Sequence, residues 1–469
     1  MKEITPRSVA WDAWLAKRAG WSGIIDRQQK RLIELVAFAR EHSRYYAEKY
    51  RNLPARIDDV RQLPIVTKPD LMAHFEDWVT DPAIKRADVE AFITDKSRIG
   101  DSFLHQYLIF TTSGSSGSPA ILIQDAPAQA VMTGLTYIRG LGMVSAREYW
   151  QVIQKGGRQV ALFATGGHFL GVTMIERRRR ARPWRAKMSR IISVLTPLHE
   201  IVKELNEFQP AMVGGYATML LLLAEEQEAG RLHIEPALIT SSGETLSPQG
   251  RKQIEIAFTC TVTESYGCSE ATPLTITCRH QRLHVNSDWF ILEAVDKSYE
   301  PVTAGQHSHT VLITNLANHV QPIIRYELGD SVTVDPDPCP CGSPLPSVQV
   351  IGRTDEILAF HSLNGTSIRV LPLALWSVIK ETPGVLRFQA IQTGPAKLTV
   401  RLETKKLGDT NCIWQVLEQR VHDYLTMQGL VNVTVEQDAT PPARDAHSGK
   451  FRHVWAEFPE DYRPLKSRY

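Results

Sequence analysis

An alternation of short apolar runs and amphipathic segments between residues 160 and 270 constrains the fold more than any other feature. Strands are predicted over residues 160–164, 211–213, 237–240 and 261–263, and helices over residues 198–208, 219–228 and 248–258. This rhythm is typical of βαβ units, which build a parallel sheet with helices on its faces. The sequence therefore predicts an α/β fold.

Small and polar residues follow the ends of these predicted strands. His168 follows the first strand, Gly214-Gly215-Tyr216 the second, and Ser241-Ser242-Gly243-Glu244 the third. Ligands of open α/β sheets bind at the carboxyl ends of the strands. These turns are therefore predicted to border one binding crevice, as well as to end the strands.

Residues 111–120 read Thr-Thr-Ser-Gly-Ser-Ser-Gly-Ser-Pro-Ala, and six of these ten residues carry a hydroxyl group. Glycine lets backbone N–H groups turn toward an anion, and hydroxyls add rotatable donors, so the segment suits phosphate oxygens. It is not a Walker loop, because no Gly-Lys-[Ser/Thr] follows. Its apolar flanks predict a strand, a loop and a second strand. By itself, such a segment is also compatible with a flexible connection.

The cysteines suggest a metal site. Cys339 and Cys341 share one predicted turn, and Cys278 and His284 lie upstream with His280 as a competing imidazole. Three thiolates and one imidazole form a tetrahedral set suited to structural zinc, with no position left for a substrate. The alternative is a group of free thiols with chance spacing.

Composition limits the remaining function classes. The chain has 469 residues, enough for two or three domains, with 43% hydrophobic and 22% charged residues. The formal net charge of +2 gives no reason to expect nucleic acid or membrane as a partner. Six cysteines in so long a chain do not form a disulfide framework, and no signal peptide is recognisable, so a cytoplasmic location is expected.

Several motifs, in this order, resemble those of the adenylate-forming (acyl-CoA synthetase) superfamily, and within it the phenylacetate–coenzyme A ligase branch. Residues 112–119 resemble its phosphate loop, 266–270 its Tyr-Gly-x-[Ser/Thr]-Glu motif and 325–330 its Arg-Tyr-x-x-Gly-Asp motif. Residues 352–356 resemble its hinge and residues 448–450 its C-terminal Gly-Lys loop, and the branch also has a similar Cys/His set. The resemblance covers nearly the whole chain.

The resemblance implies the architecture. A large adenylate-forming domain would cover residues 1–354, with mixed and parallel sheets flanked by helices, a helical lead-in over residues 1–100 and a zinc-bearing β-rich part over about residues 278–350. A small, mobile α+β lid domain would follow the hinge residue Asp355 and cover residues 355–469.

The resemblance also implies the activity: an AMP-forming acid–thiol ligase. ATP and Mg²⁺ would activate a small carboxylic acid, aryl or arylacetic, as an acyl-adenylate with release of pyrophosphate, and coenzyme A would accept the acyl group. Alternative acceptors are a carrier-protein thiol, an amine or a hydroxyl. From another class, a non-catalytic zinc-stabilised binding protein is the alternative. A homodimer is possible.

Residue roles follow from the same resemblance. Lys450, Glu270 and His168 would be catalytic, with Lys450 on the acyl-phosphate oxygens, Glu270 on Mg²⁺ and His168 beside the carboxylate. Tyr266 would stack on adenine, and Asp330 would hold the ribose. The residues expected to bind ATP or AMP are Thr112, Ser113, Gly114, Ser115, Ser116, Gly117, Ser242, Gly243, Glu244, Ser265, Tyr266, Gly267, Cys268, Ser269, Asp330 and Arg353. The acyl pocket would include Gly214, Gly215, Tyr216 and Ser241.

Two features lie outside this scheme. The phosphate loop ends in Ala120, where many members of the superfamily carry a lysine, so more of the charge must be neutralised by Mg²⁺ and the hydroxyls. A basic run between Arg177 and Arg190 is predicted to be a solvated helix face. A landing patch for coenzyme A phosphates or for an acidic carrier protein is the alternative for this run.

Overall fold

The computed structural model describes residues 4–112, 120–140, 144–244, 246–350, 358–370, 372–404, 410–443 and 453–457. Its N-terminal part is helical, as predicted. The first helix begins with a capping box, in which the Thr5 side chain accepts from the Ser8 N–H and the Ser8 side chain accepts from the Thr5 N–H. The helices of this part are α1 (Pro6–Arg18), α2 (Gly20–His42), α3 (Arg44–Lys49), α4 (Lys68–Ala73), α5 (Phe75–Trp78) and α6 (Arg86–Thr94).

A short hairpin carries the predicted phosphate loop. Strands β1 (Leu108–Thr111) and β2 (Ile121–Gln124) pair antiparallel, with Thr111 opposite Ile121. The Thr112 N–H donates to the Ala120 carbonyl at 3.0 Å, and the Ala120 N–H donates to Thr112 Oγ1 at 2.8 Å. The two predicted strands are confirmed, while the loop residues 113–119 lie outside the described part of the chain.

A parallel sheet follows, and its strands are joined by helical crossovers. The strand order is β4-β3-β5-β6-β7, and every neighbouring pair is parallel. The strands are β3 (Gln159–Phe163), β4 (Ser189–Ser193), β5 (Met212–Gly215), β6 (Leu238–Ser242) and β7 (Thr261–Ser265). The helices are α7 (Ala126–Gly140), α8 (Ala146–Gln154), α9 (Leu170–Ala181), α10 (Pro183–Ala186), α11 (Leu198–Phe208), α12 (Ala217–Glu228) and α13 (Pro248–Phe258). The α/β prediction is confirmed.

The basic run between Arg177 and Arg190 does not lie on a single helix. Arg177, Arg178 and Arg180 belong to α9, but Arg190 lies inside the edge strand β4, which sequence reasoning missed. Arg180 pairs with Asp101, and the Arg190 guanidinium lies 2.9 Å from Glu204. The prediction of a helix face is therefore wrong for Arg190, which lies in a strand, whereas Arg178 and Arg180 lie on α9 and are exposed.

Antiparallel strands form the β-rich part. Their orders are β10-β11-β12 in one sheet and β13-β14-β9-β8 in another. The strands are β8 (Thr275–Thr277), β9 (Leu283–Val285), β10 (Phe290–Val295), β11 (Thr310–Asn315), β12 (Ile323–Glu327), β13 (Val332–Val334) and β14 (Ser347–Val350). The pairing of β9 with β14 sets His284 opposite Ser347, which brings the two cysteine-bearing segments together.

The C-terminal part has an α+β arrangement. A mixed sheet of order β19-β18-β17-β20 accompanies two helices and a separate hairpin, β15-β16. The elements are β15 (Leu358–His361), β16 (Ser367–Val370), α14 (Pro372–Lys380), β17 (Val385–Gly394), β18 (Lys397–Thr404), α15 (Thr410–Met427), β19 (Thr434–Asp438) and β20 (Val454–Ala456). The hinge residue Asp355 lies outside the described ranges, so the domain boundary stays a prediction.

Two apolar cores hold these parts together. One joins the N-terminal helices, the β1–β2 hairpin and the antiparallel sheets, and the other joins the parallel sheet, its helices and the C-terminal sheet. Among the described residues, no helix has both the length and the apolar character needed to cross a bilayer.

Candidate functional site

Two tyrosine–carboxylate pairs join the motifs around residues 266–270 and 325–330. The Tyr266 hydroxyl donates to Asp330 Oδ2 at 3.0 Å, and the Tyr326 hydroxyl donates to Glu270 Oε1 at 3.2 Å. Each motif thus supplies a tyrosine to the carboxylate of the other. In both motifs the tyrosine precedes the acid by four residues. This repeated spacing was a signal that Tyr326 belongs to the site, but sequence analysis assigned no role to Tyr326.

Local backbone contacts hold this arrangement in place. Tyr266 directly follows β7, and its N–H donates to Thr275 Oγ1 at 3.0 Å, while the Thr275 N–H donates to the Tyr266 carbonyl at 3.1 Å. Gly329 precedes Asp330 with a φ of +81°, in the left-handed region that favours glycine. Its N–H donates to Thr310 Oγ1 at 3.1 Å, which directs the next residue toward Tyr266.

Glu270 is a buried carboxylate in an unusual electrostatic setting. Only 6% of it is exposed, and burial raises its pKa above the ordinary value, although the Lys68 charge and the Tyr326 hydrogen bond favour the ionised form. A carboxylate whose charge is penalised by burial gains most from a nearby cation. Its oxygen atoms are the ligands that Mg²⁺ prefers.

Lys68 connects Glu270 with the base of the phosphate-loop hairpin. Its Nζ lies 3.4 Å from Thr112 Oγ1, and the Thr111 N–H donates to the His168 carbonyl at 2.8 Å. A cation therefore stands beside the hairpin, whose loop ends in Ala120 rather than lysine. Sequence analysis did not single out Lys68, although the alanine in place of a loop lysine was a signal that another cation was needed.

The predicted acyl-pocket residues lie on neighbouring strands. The register sets Gly215 opposite Ser241 and Gly214 opposite Thr240. Gly243 has a φ of +81°, and a Cβ there would lie 2.9 Å from the Tyr216 ring. The structure thus brings these residues to one place, where glycine is required for the close approach of the aromatic ring.

Aromatic contacts and a helix cap define the rest of this region. The Tyr216 ring meets the Phe163 ring edge-on at 5.2 Å, and the Tyr216 hydroxyl accepts from the Ala164 N–H at 3.4 Å. Glu244 Oε2 accepts from the backbone N–H and the hydroxyl of Thr218, both at 2.8 Å, near the start of α12. Glu244 therefore has a structural role in addition to the nucleotide contact expected for it.

His168 is buried, with 1% exposure, beside the ring of Phe92 at 5.3 Å. Its Nε2 lies 3.5 Å from the Asp95 carbonyl oxygen, and its Nδ1 has no hydrogen-bond partner within the described ranges. Burial lowers its pKa, so the imidazole is neutral near pH 7. A neutral imidazole beside the crevice can orient a bound group by hydrogen bonding, and it adds no charge to the site.

The remaining residues of the 266–270 motif form a tight turn. The Ala271 N–H donates to the Cys268 carbonyl at 3.1 Å. Burial raises the pKa of the Cys268 thiol well above its ordinary value, which makes it a poor nucleophile. Ser265 and Gly267 are exposed, and Ser269 is half-buried. Several predicted site residues lie outside the described ranges: Ser113, Gly114, Ser115, Ser116, Gly117, Arg353, Asp355 and Lys450.

The predicted zinc ligands come together. The ligand atoms of Cys278, His284, Cys339 and Cys341 all lie within 4.8 Å of one another. The Sγ atoms of Cys278 and Cys339 are 3.6 Å apart, and Cys341 Sγ is 3.3 Å from His284 Nε2. Tetrahedral zinc with ordinary bond lengths gives edges of about 3.8 Å between two sulfur atoms and about 3.6 Å between sulfur and nitrogen. The donor set therefore fits a zinc ion.

Contacts around the cluster select its imidazole. His284 Nδ1 lies 2.8 Å from the Leu345 carbonyl oxygen, an arrangement that leaves Nε2 as the ligand atom. His280 instead offers its backbone N–H to Cys278 Sγ at 3.3 Å, and the Ser343 N–H does the same for Cys341 Sγ at 3.3 Å. Of the two imidazoles considered from the sequence, His284 is thus the one in the cluster.

Comparisons with known proteins show which solved structures share the fold of this chain. No family model matches the chain. Protein CapK of Staphylococcus aureus is 22% identical over 355 residues, which cover 71% of this chain and 69% of CapK. A structure of 2-hydroxyisobutyryl-CoA ligase with 2-HIB-AMP and CoA in the thioesterification state aligns with a TM-score of 0.56, at 19% identity, over 93% of this chain and 89% of the ligase.

The same ligase in its postadenylation state, with R3-HIB-AMP, aligns with a TM-score of 0.52 at 20% identity, again over 93% of this chain and 89% of the ligase. The chain therefore has the fold of this 2-hydroxyisobutyryl-CoA ligase.

Proposed function

We propose that this protein is an AMP-forming ligase that activates a carboxylic acid as an acyl-adenylate and passes the acyl group to coenzyme A. The observation that carries the proposal is the crossed pairing of Tyr266 with Asp330 and of Tyr326 with Glu270. Two carboxylates held by two tyrosines, with the phosphate-loop hairpin joined to Glu270 through Lys68, suit a nucleotide that needs contacts at its ribose, its metal and its phosphates.

In this proposal the nucleotide binds next to the tyrosine–carboxylate pairs and Lys68. Asp330 accepts from the ribose hydroxyls, and Tyr266 stacks on the adenine while its hydroxyl keeps Asp330 in place. The magnesium ion held by Glu270, when bound, would neutralise charge on the phosphates. Lys68 and Thr112 meet the phosphates at the base of the hairpin, and Lys68 supplies a cation that Ala120 does not. Ser265, Gly267, Cys268 and Ser269 complete the nucleotide contacts, together with Ser242, Gly243 and Glu244.

Other roles in the proposal depend on residues outside the described part of the chain. The loop residues Ser113, Gly114, Ser115, Ser116 and Gly117 hold the pyrophosphate end of ATP. Arg353 meets the ribose and α-phosphate, and Lys450 places positive charge on the acyl-phosphate oxygens as charge develops there. Asp355 is the hinge at which the lid, residues 355–469, rotates between the two half-reactions.

The acid is proposed to be aryl or arylacetic, bound among Gly214, Gly215, Tyr216 and Ser241. The contact between Tyr216 and Phe163 gives this region an aromatic wall, which favours a flat apolar substituent. The neutral imidazole of His168 would stand beside the carboxylate of the acid. Because Gly243 approaches Tyr216 closely, a side chain at position 243 would displace the ring and change the pocket.

Coenzyme A is proposed as the acceptor because two of the ligase structures compared contain it together with the acyl-adenylate. A carrier-protein thiol, an amine or a hydroxyl would replace coenzyme A if no thioester forms.

A structural zinc ion is the second component of the proposal. Cys278, His284, Cys339 and Cys341 would bind it and tie the β8–β9 hairpin to the turn before β14. With four protein ligands, the ion has no open position and takes no part in the reaction.

The test is acid-dependent ATP–pyrophosphate exchange against a library of carboxylic acids, followed by addition of coenzyme A. Exchange with at least one acid and a thioester product on adding coenzyme A are expected. Asp330→Ala should lose exchange, and the matched control Asp438→Ala, which removes an aspartate–arginine ion pair of 2.7 Å to Arg401 in the C-terminal sheet, should keep it. Full exchange in Asp330→Ala would contradict the ribose role.

A second variant separates the two half-reactions. Lys450→Ala should lose exchange, yet it should still convert an externally supplied acyl-adenylate to the thioester. Normal exchange in this variant would show that the role assigned to Lys450 is wrong.

A further inference from the structure

The outward face of α1 carries large aromatic side chains in solvent. Trp11 is 62% exposed, Trp14 37% and Leu15 38%, on a helix of 13 residues. The buried residues of α1 are two alanines and a valine, which pack inward. A helix that points its smallest side chains at the protein and its largest apolar ones at solvent reverses the usual amphipathic pattern of a surface helix.

These side chains form one continuous stripe, which we call the α1 stripe: Arg7, Trp11, Trp14, Leu15 and Arg18. Successive residues of an α-helix are about 100° apart, so these five lie within about 100° of arc, opposite the buried side. The Trp11 and Trp14 rings stack with centroids 4.9 Å apart, and the Arg18 guanidinium lies 4.6 Å from the Trp14 centroid. The stripe is therefore ordered by its own contacts.

The exposed charged residues of α1 itself are all positive. Arg7, Lys17 and Arg18 are exposed, and Asp12 is the one acidic residue in the sequence of α1. Asp12 is occupied, because its carboxylate lies 2.8 Å from Arg27 and 2.5 Å from Arg31 of α2. The surface thus combines exposed indoles with cations that have no acidic neighbour on their own helix face.

A second copy of the chain is a poor occupant for this surface. A twofold-symmetric contact pairs the same patch of both subunits, so it would bring the cations of one stripe against the cations of the other. The occupant that complements the stripe must be anionic and must accept indole rings. A bilayer of anionic lipids offers both, since tryptophan favours the headgroup boundary and Lys or Arg heads reach the phosphates above it.

We propose that the α1 stripe docks the protein on the surface of an anionic lipid bilayer. The proposal does not depend on the ligase activity. It replaces the expectation of no membrane partner, which rested on a net charge of +2 for the whole chain. A chain-wide sum does not reveal three cations gathered on one helix around two exposed indoles.

The test is co-sedimentation of the full chain with vesicles of phosphatidylcholine alone and of phosphatidylcholine with phosphatidylglycerol. Binding is expected only with the anionic vesicles, and weaker at higher salt because exposed charges are screened. Trp11→Ser with Trp14→Ser should lower the partition coefficient roughly tenfold or more. The matched control Tyr149→Ser with Trp150→Ser, which removes side chains of 56% and 59% exposure on α8, should leave it unchanged.

A second variant keeps the test decisive if the double serine variant folds poorly. Arg7→Gln, Lys17→Gln and Arg18→Gln together change exposed charges alone, and should reduce anionic-vesicle binding roughly tenfold or more. Equal binding to both kinds of vesicle, no binding by the folded wild type, or full binding by the charge variant would each overturn the proposal. A solution dimer that the tryptophan substitutions dissociate would assign the stripe to a second copy and overturn it as well.

Discussion

Replacing Cys278 with serine should remove the proposed zinc ion and destabilise the β-rich part of the molecule. Cys278 Sγ lies 3.6 Å from Cys339 Sγ, and the two residues are 61 positions apart in the chain. A metal that joins them restricts the unfolded chain much as a cross-link does. The chain-entropy relation for a loop of this length gives about 4 kcal/mol, which we take as the upper limit of the loss in the free energy of unfolding.

The assay combines zinc content of the purified protein with urea unfolding. Wild type should carry one zinc per chain, and Cys278→Ser should carry little and unfold at a lower urea midpoint. The matched control is Cys260→Ser, because Cys260 is also a half-buried free cysteine but lies outside the cluster. This control should keep its zinc and most of its stability.

A chelator distinguishes metal loss from loss of the side chain itself. Chelation should lower the urea midpoint of wild type to near that of Cys278→Ser, and should have little further effect on the variant, because the two perturbations remove the same interaction. Wild type without stoichiometric zinc, or equal destabilisation by Cys260→Ser and Cys278→Ser, would refute the reasoning.

Three further predictions concern the nucleotide site. Lys68→Met should slow ATP–pyrophosphate exchange roughly tenfold or more, by removing a cation from the phosphates, whereas Lys96→Met should not, and equal rates would contradict the role of Lys68. Tyr266→Phe should weaken ATP binding less than Asp330→Ala does, as competition binding would measure, since the phenyl ring still stacks. Burial raises the pKa of Glu270 above its ordinary 4.5, so the folded state holds this proton to higher pH than the unfolded chain, and stability is lost as pH rises through the raised pKa. Metal-free Glu270→Gln should therefore melt at a higher temperature than metal-free wild type at pH 7. The same variant should lose Mg²⁺-dependent exchange. A lower melting temperature would contradict the idea that the buried charge of Glu270 destabilises the metal-free protein.

Helix and strand positions in the parallel sheet were predictable because the signal is local. Residues 198–208 and 248–258 show an apolar face at helical spacing, and the structure has helices with these same bounds, α11 and α13. Strand β4 was missed because arginine dominates its surroundings and hides the apolar alternation. Its place at the sheet edge depends on pairing with β3, which is a contact between distant segments.

The predicted zinc ligands show what a short stretch of sequence cannot decide. The Cys-Pro-Cys turn and the upstream Cys and His were visible in the sequence, but two imidazoles competed for the fourth position. The register between β9 and β14 settles this, because it sets His284 opposite Ser347 and leaves His280 to offer only its backbone N–H.

The sequence by itself determined the α/β class, the hairpin around the Ser/Gly loop and the residue types of the predicted nucleotide site, because each rests on periodicity or on motifs a few residues long. Only the tertiary structure decided the crossing of Tyr266 to Asp330 and of Tyr326 to Glu270, and the approach of Lys68 to Thr112. It also decided which face of α1 is exposed. These features depend on how distant segments pack, and packing is a property of the folded chain as a whole, which no short window of sequence contains.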